Sequence, residues 1–145
     1  MKKDYLIEIS GKYLSGGVVD RIEMTTLGSL ARQHKSYYLT YRESESSGME
    51  GVVTTLKIEG KNKLTLLRRG ASNSRLILEK GKRHMCHYDT GFGEFLVGVF
   101  AKNVDLDMTS DGGDLHFQYT LDINSDLTTI NDVHIKIKEA ETCPQ

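Results

Sequence analysis

Apolar side chains recur at every second position through most of this chain. Tyr5, Ile7 and Ile9 alternate with Leu6, Glu8 and Ser10, and Ile22, Met24, Thr26, Gly28 and Leu30 alternate with Arg21, Glu23 and Thr25. Successive side chains of an extended strand point to opposite faces, so a period of two predicts strands with one buried face. Tyr37, Leu39 and Tyr41 continue the pattern, and Val52, Thr54, Leu56 and Ile58 repeat it after a bend that carries Arg42-Glu43-Ser44-Glu45 and Ser46-Ser47-Gly48. We read these two runs as a β-hairpin with acidic residues at its bend. Leu64, Leu66 and Arg68 share the next face, followed by Leu76 and Leu78 and by a short strand over residues 84–88. Leu115, Phe117, Tyr119, Leu121 and Ile123 form the cleanest amphipathic strand, and Val133, Ile135 and Ile137 form the last.

Gly16-Gly17, Gly60-Lys61-Asn62, Gly81-Lys82 and Asp111-Gly112-Gly113 punctuate these runs as turns. Strands this short, separated by turns at intervals of about 8–12 residues, are the spacing of an antiparallel sandwich or barrel. Closure removes the exposed edges that would invite edge-to-edge pairing. The expected fold is therefore all-β: a single antiparallel up-and-down barrel of about eight to ten strands, wide enough for packed side chains or one small ligand. Residues 1–145 form one domain, with a frayed tail over 140–145. The one helix candidate is the short piece 29–33. Residues 94–101 are apolar on both faces, through Phe95, Val97 and Val99 and through Leu96 and Phe100, which predicts a strand covered on both sides or lining a contact between protomers.

Composition narrows the function classes. With 38% hydrophobic and 27% charged residues and a formal net charge of −1, the chain is an ordinary globular one with no bulk attraction to polyanions. Charge is uneven locally: residues 57–83 hold nine basic side chains against two acidic ones, and 103–145 hold nine acidic ones against two lysines. That asymmetry predicts a dipolar surface. No apolar run suits a signal peptide or a membrane span, and the two cysteines, Cys86 and Cys143, suit a reducing compartment. A cytoplasmic protein with free thiols and no membrane association is expected.

The same period of two selects candidate chemistry. If Tyr37, Leu39 and Tyr41 face the barrel interior, so does Glu43, and Arg68 follows Leu64 and Leu66 inward. An inward carboxylate and guanidinium are expected to pair, because an unpaired buried charge is costly. Thr54, Tyr88 and Tyr119 fall on inward faces by the same count, and Glu45 joins them if its strand runs unbroken to the turn. The resulting ligand-binding set is Tyr41, Glu43, Glu45, Thr54, Arg68, Tyr88 and Tyr119. Arg68 would hold a carboxylate or phosphate bidentately while aromatic rings contact the body of the ligand. The competing reading is a Glu43–Arg68 pair that plugs the barrel end and binds nothing.

Other chemistry finds little support. His84, Cys86 and His87 cannot all face one way on a strand, and no CxxC or HExxH spacing occurs, so no metal is expected. There is no Gly-x-Ser-x-Gly elbow, and the glycines at 91, 93 and 98 lack the strand-to-helix context of a dinucleotide site. No cofactor and no catalytic residue are assigned. The basic run 57–83 has only Tyr88 nearby for base stacking, which leaves nucleic acid an unfavoured partner.

Tyr41-x-Glu43-x-Glu45, Gly51 with Thr54-Thr55, Arg68-x-Gly70, Tyr88-x-Thr90-x-x-Gly93 and Tyr119-x-Leu121 resemble the pattern of DUF1934, the YwiB-like proteins, a bacterial family of unknown function. The resemblance spans nearly the whole chain and implies a small cytoplasmic, calycin-like (lipocalin-like) barrel without an assigned activity. Its motif positions are Glu43, Glu45, Thr54, Arg68, Gly70, Tyr88, Thr90 and Gly93. The chain has no tryptophan and so departs from the Gly-x-Trp of true lipocalins. The calycin link rests on shape, which does not transfer a ligand. Three readings follow: a binding module for a small, partly apolar, anionic or amphipathic molecule; a structural or protein-interaction module, a homodimer included; and an enzyme using Glu43 or Glu45 as general acid or base.

Overall fold

A computed structural model of the chain describes residues 4–43, 51–70, 73–89, 93–124 and 126–140. They form ten strands: β1 (Tyr5–Ser15), β2 (Val18–Gln33), β3 (Ser36–Arg42), β4 (Val52–Glu59), β5 (Lys63–Gly70), β6 (Ser74–Glu79), β7 (Arg83–Asp89), β8 (Glu94–Thr109), β9 (Gly112–Ile123) and β10 (Asp126–Glu139). Each strand pairs antiparallel with the next, and β10 returns to pair with β1, which closes the barrel. No helix long and apolar enough to cross a membrane occurs among the described residues.

The first hairpin shows how local chemistry sets the register. Gly16 and Gly17, with φ of 57° and 82°, form the two-residue turn between β1 and β2. Both backbones are left-handed there, a conformation glycine adopts without a Cβ clash and one whose twist matches the flanking strands. The turn pairs Ser15 with Val18 and carries the register down to Tyr5 opposite Gly28.

Inward side chains then stack in rows around the barrel. Leu30, Leu39, Leu56, Leu66 and Leu76 lie side by side on β2 to β6 and form one apolar row. The row above it, on β3 to β7, runs Tyr41, Thr54, Arg68, Ser74 and Tyr88. Ile7, Leu64, Leu78, Leu115 and Ile135 are buried in the same core.

Two expectations are corrected. Residues 29–33 are not helical: they complete β2, paired residue for residue with β3 from Ser29 opposite Thr40 to Gln33 opposite Ser36. Cross-strand hydrogen bonds satisfy that backbone, where an isolated helical turn would fix several dihedrals for one bond. Within the chain residues 94–101 are covered on one side, for Val97, Val99 and Ala101 point into the core while Phe95, Leu96 and Phe100 stay exposed, which removes the reading of a strand covered on both sides and leaves that of a contact between protomers. The last strand begins at Asp126 and runs to Glu139, and the Ala140 N–H just past it donates to the Asp4 carbonyl at 3.0 Å; residues 141–145 of the expected tail lie outside the described residues.

The wall is thinnest between β6 and β7, which share a single pairing, Ser74 with Tyr88, among the described residues. Other contacts tie this part of the wall, among them the pair of Glu79 with His84 Nε2 at 3.1 Å. The Ile77 N–H donates to the Cys86 Sγ at 3.4 Å, and the Gly81 N–H just beyond β6 donates to the Ala101 carbonyl on β8 at 2.8 Å. Burial pushes the Cys86 thiol pKa up, which keeps the sulfur protonated and weakly nucleophilic.

Candidate ligand-binding site at the open end of the barrel

The ends of β1, β3, β5, β7 and β9 and the starts of the strands that follow them all lie at one end of the barrel, as an up-and-down meander requires. At the opposite end the Tyr5 hydroxyl donates to the Ser110 carbonyl at 2.8 Å and draws the β8–β9 connection across the core. A cavity of about 330 Å³ occupies the first end. Ile9, Met24, Leu56, Leu66, Leu76 and Phe117 form its apolar floor, and Tyr13, Tyr41, Glu43, Arg68, Tyr88 and Tyr119 give it polar walls.

Two register rows bring those walls together. One is the Tyr41–Thr54–Arg68–Ser74–Tyr88 row on β3 to β7. The other runs across β2, β1, β10 and β9 as Asp20, Tyr13, Asn131 and Tyr119. The rows converge over the cavity: Tyr13 feels the charges of both Arg68 and Glu43, and Tyr119 feels Arg68 from across the barrel. Gly11 makes room for this, because a side chain there would occupy the space that the Tyr13 ring takes. Asn131 is anchored, with its Nδ2 donating to the Tyr119 carbonyl at 3.3 Å and to the Thr129 Oγ1 at 2.9 Å. Ser74 is engaged as well, its Oγ accepting from the Asp89 N–H at 3.3 Å.

Of the sequence-predicted residues, Tyr41, Glu43, Arg68, Tyr88 and Tyr119 line the cavity. Thr54 lies in the same row but is fully buried between Tyr41 and Arg68, away from the cavity surface. Glu45, and the motif position Thr90, lie outside the described residues. Sequence reasoning missed Tyr13 and Asn131. Extending the alternation of β1 two residues past Gly11, and that of β10 two residues before Val133, reaches both.

The expected Glu43–Arg68 ion pair does not form. Glu43 Oε2, Arg68 Nε and Thr54 Oγ1 are buried atoms without a hydrogen-bond partner among the described residues. Geometry explains the separation. Glu43 follows the last residue of β3, where its N–H still donates to the Val52 carbonyl at 2.8 Å and keeps it in strand register. It therefore sits one layer, about 6–7 Å, nearer the mouth than the row that holds Arg68. Glu43 is nonetheless only 9% exposed. A buried acceptor left without a donor costs about 1–3 kcal/mol or more when charged.

Burial raises the pKa of Tyr13, Tyr41 and Tyr119, and the Glu43 carboxylate adds to the effect at Tyr13 and Tyr41. All three phenols hold their protons at neutral pH and can donate. Unfolding returns each to the ordinary phenol value of 10.0. Their burial thus contributes stability that is fully present below that pH and is lost as pH rises above it, since only the unfolded chain then releases the protons. In an alkaline titration the tyrosinate absorbance of these three should appear together with loss of the far-ultraviolet strand signal. Reversible ionisation of all seven tyrosines in an intact barrel would contradict their burial.

Among the described residues no three His, Cys, Asp or Glu side chains come together to hold a metal ion. On the outer surface His116 pairs with Asp132 at 2.7 Å and His134 with Asp114 at 2.6 Å.

No curated protein matches the sequence. Among solved structures, the chain is similar to the crystal structure of the ywiB protein from Bacillus subtilis, with a TM-score of 0.83 and 18% identity over 97% of this chain and 94% of that one. At that identity the likeness is one of fold. The model of DUF1934, a domain of unknown function, matches residues 7–137. That span runs from β1 to β10 and takes in all the cavity-lining residues, and the chain belongs to the DUF1934 family.

Proposed function

We propose that this protein is a non-catalytic binding module whose barrel takes one small, partly apolar molecule, with an acidic group of that molecule held by Arg68. The observation that carries this reading is the coincidence of a cavity with polar atoms, Glu43 Oε2 and Arg68 Nε, that have no partner among the described residues and belong to side chains of its wall. A barrel end that served only as a plug would be expected to pair those groups with each other. The leucine and phenylalanine floor supplies apolar contact, and the neutral phenols supply further donors for an acidic oxygen. We place its action in a reducing, cytoplasmic compartment, in keeping with the free thiol of Cys86.

Native mass spectrometry against a denatured control tests the reading. The wild-type barrel is expected to retain a co-purified small molecule, and Arg68→Ala to lose it while still folding. An empty wild-type barrel, with no small acid retained from added mixtures, would sink the proposal.

A second reading is favoured by one observation: Met85, Leu96 and Phe100 are 50%, 52% and 37% exposed on the neighbouring strands β7 and β8. Association through that face would appear in the same spectra as a dimer mass.

A further inference from the structure

We infer that the head of the bound molecule carries an N–H donor beside its acid, and that the occupant is an apolar α-amino acid. This rests on the binding reading above and adds a requirement set by Glu43. Among the described lining residues Arg68 is the one cation, whereas Glu43 and Asp20 are both carboxylates. A plain carboxylate or phosphate on Arg68 would satisfy the guanidinium but leave Glu43 Oε2 without a donor, and it would bring like charges together at a buried site. A zwitterionic head removes both penalties. Its ammonium pairs with the Glu43 carboxylate and its carboxylate with the Arg68 guanidinium, both side chains being part of the cavity wall.

The dimensions agree. An amine nitrogen and a carboxylate oxygen on one α-carbon lie about 3 Å apart, and each hydrogen bond adds about 2.9 Å. Such a head can bridge two groups that are offset by one layer and make no ion pair with each other among the described residues. The phenol of Tyr119, held neutral by burial, adds a donor for the carboxylate, while that of Tyr41 already donates to the Glu43 side chain. The side chain of the amino acid then faces Leu56, Leu66, Leu76 and Phe117. A cavity of about 330 Å³ stands at the small end of the usual ligand-pocket range of about 300–1,000 Å³. That size suits an amino acid better than a long-chain fatty acid.

Isothermal titration calorimetry on the full chain with three matched probes tests the inference: L-phenylalanine, 3-phenylpropanoate, which lacks the amine, and 2-phenylethylamine, which lacks the acid. L-Phenylalanine is expected to bind the wild type at least about tenfold more tightly than either partial probe, the scale of one charged hydrogen bond. Glu43→Leu should erase the preference over 3-phenylpropanoate, and Arg68→Met the preference over 2-phenylethylamine, with thermal melts confirming that both variants fold. Equal or tighter wild-type binding of 3-phenylpropanoate overturns the inference and leaves the binding reading standing. Binding of none of the three overturns it too. In that case a co-purified mass in the native spectrum preserves the binding reading, and an empty barrel removes both.

Discussion

The Phe117→Ala barrel is expected to lose about 3–5 kcal/mol of unfolding free energy, the usual cost of deleting a buried aromatic side chain. Phe117 is 1% exposed, forms part of the cavity floor and stacks on Tyr119 with ring centroids 6.1 Å apart. Its removal deletes contacts with the core below and the aromatic partner above. The new space joins an existing cavity beside polar walls, so water can enter it, which places the loss nearer the low end of the range. Urea denaturation with an unchanged m-value measures the effect. A loss below about 1 kcal/mol would mean that the floor is not packed as described, because losses that small belong to surface positions. The same variant should admit a bulkier ligand, since the floor drops beneath the polar ring.

A second large effect runs in the opposite direction. The double variant Glu43→Leu/Arg68→Met should raise stability by about 1–4 kcal/mol, as when other buried ionic groups are replaced by apolar ones of similar volume. The reason lies in the two unpartnered atoms, whose desolvation no hydrogen bond offsets. The single change Arg68→Met should lack this gain, because it leaves a 9%-exposed carboxylate without its nearby cation. Denaturant midpoints for the two singles and the double form a cycle that isolates the coupling. A double variant less stable than wild type would show that Glu43 and Arg68 support the fold, and the plug would then regain ground over the binding site. Stability gained with retention lost is the pattern of a site maintained for binding.

Much of the site was legible in the alternation alone. Tyr41, Glu43, Arg68, Tyr88 and Tyr119 were placed inward by parity, and all five line the cavity. The failures share a cause. Parity assigns a face but says nothing of height along the barrel axis, so it put Glu43 and Arg68 on the same side without revealing the layer between them. It also placed Thr54 with the others, although the neighbouring side chains seal it from the cavity. Alternation does not reach Tyr13 because Gly11 interrupts the apolar run of β1, nor Asn131 because the apolar positions of the last strand begin at Val133. The piece 29–33 looked helical because its local preference was weak, and pairing with β3 decided it.

The sequence by itself determined the strand-and-turn grammar, the buried face of each strand and the acidic and basic stretches, because these follow from local backbone geometry and composition. Closure as an up-and-down barrel is also expected from the sequence; only the tertiary structure decided the register in which β1 meets β10, which places Tyr13, Asn131 and Tyr119 opposite the row of Arg68. It likewise decided that the opposed charges stand apart around a cavity and that the outer face of residues 94–101 stays uncovered. These outcomes depend on registers between strands far apart in sequence and on distances across the barrel, which no local pattern encodes.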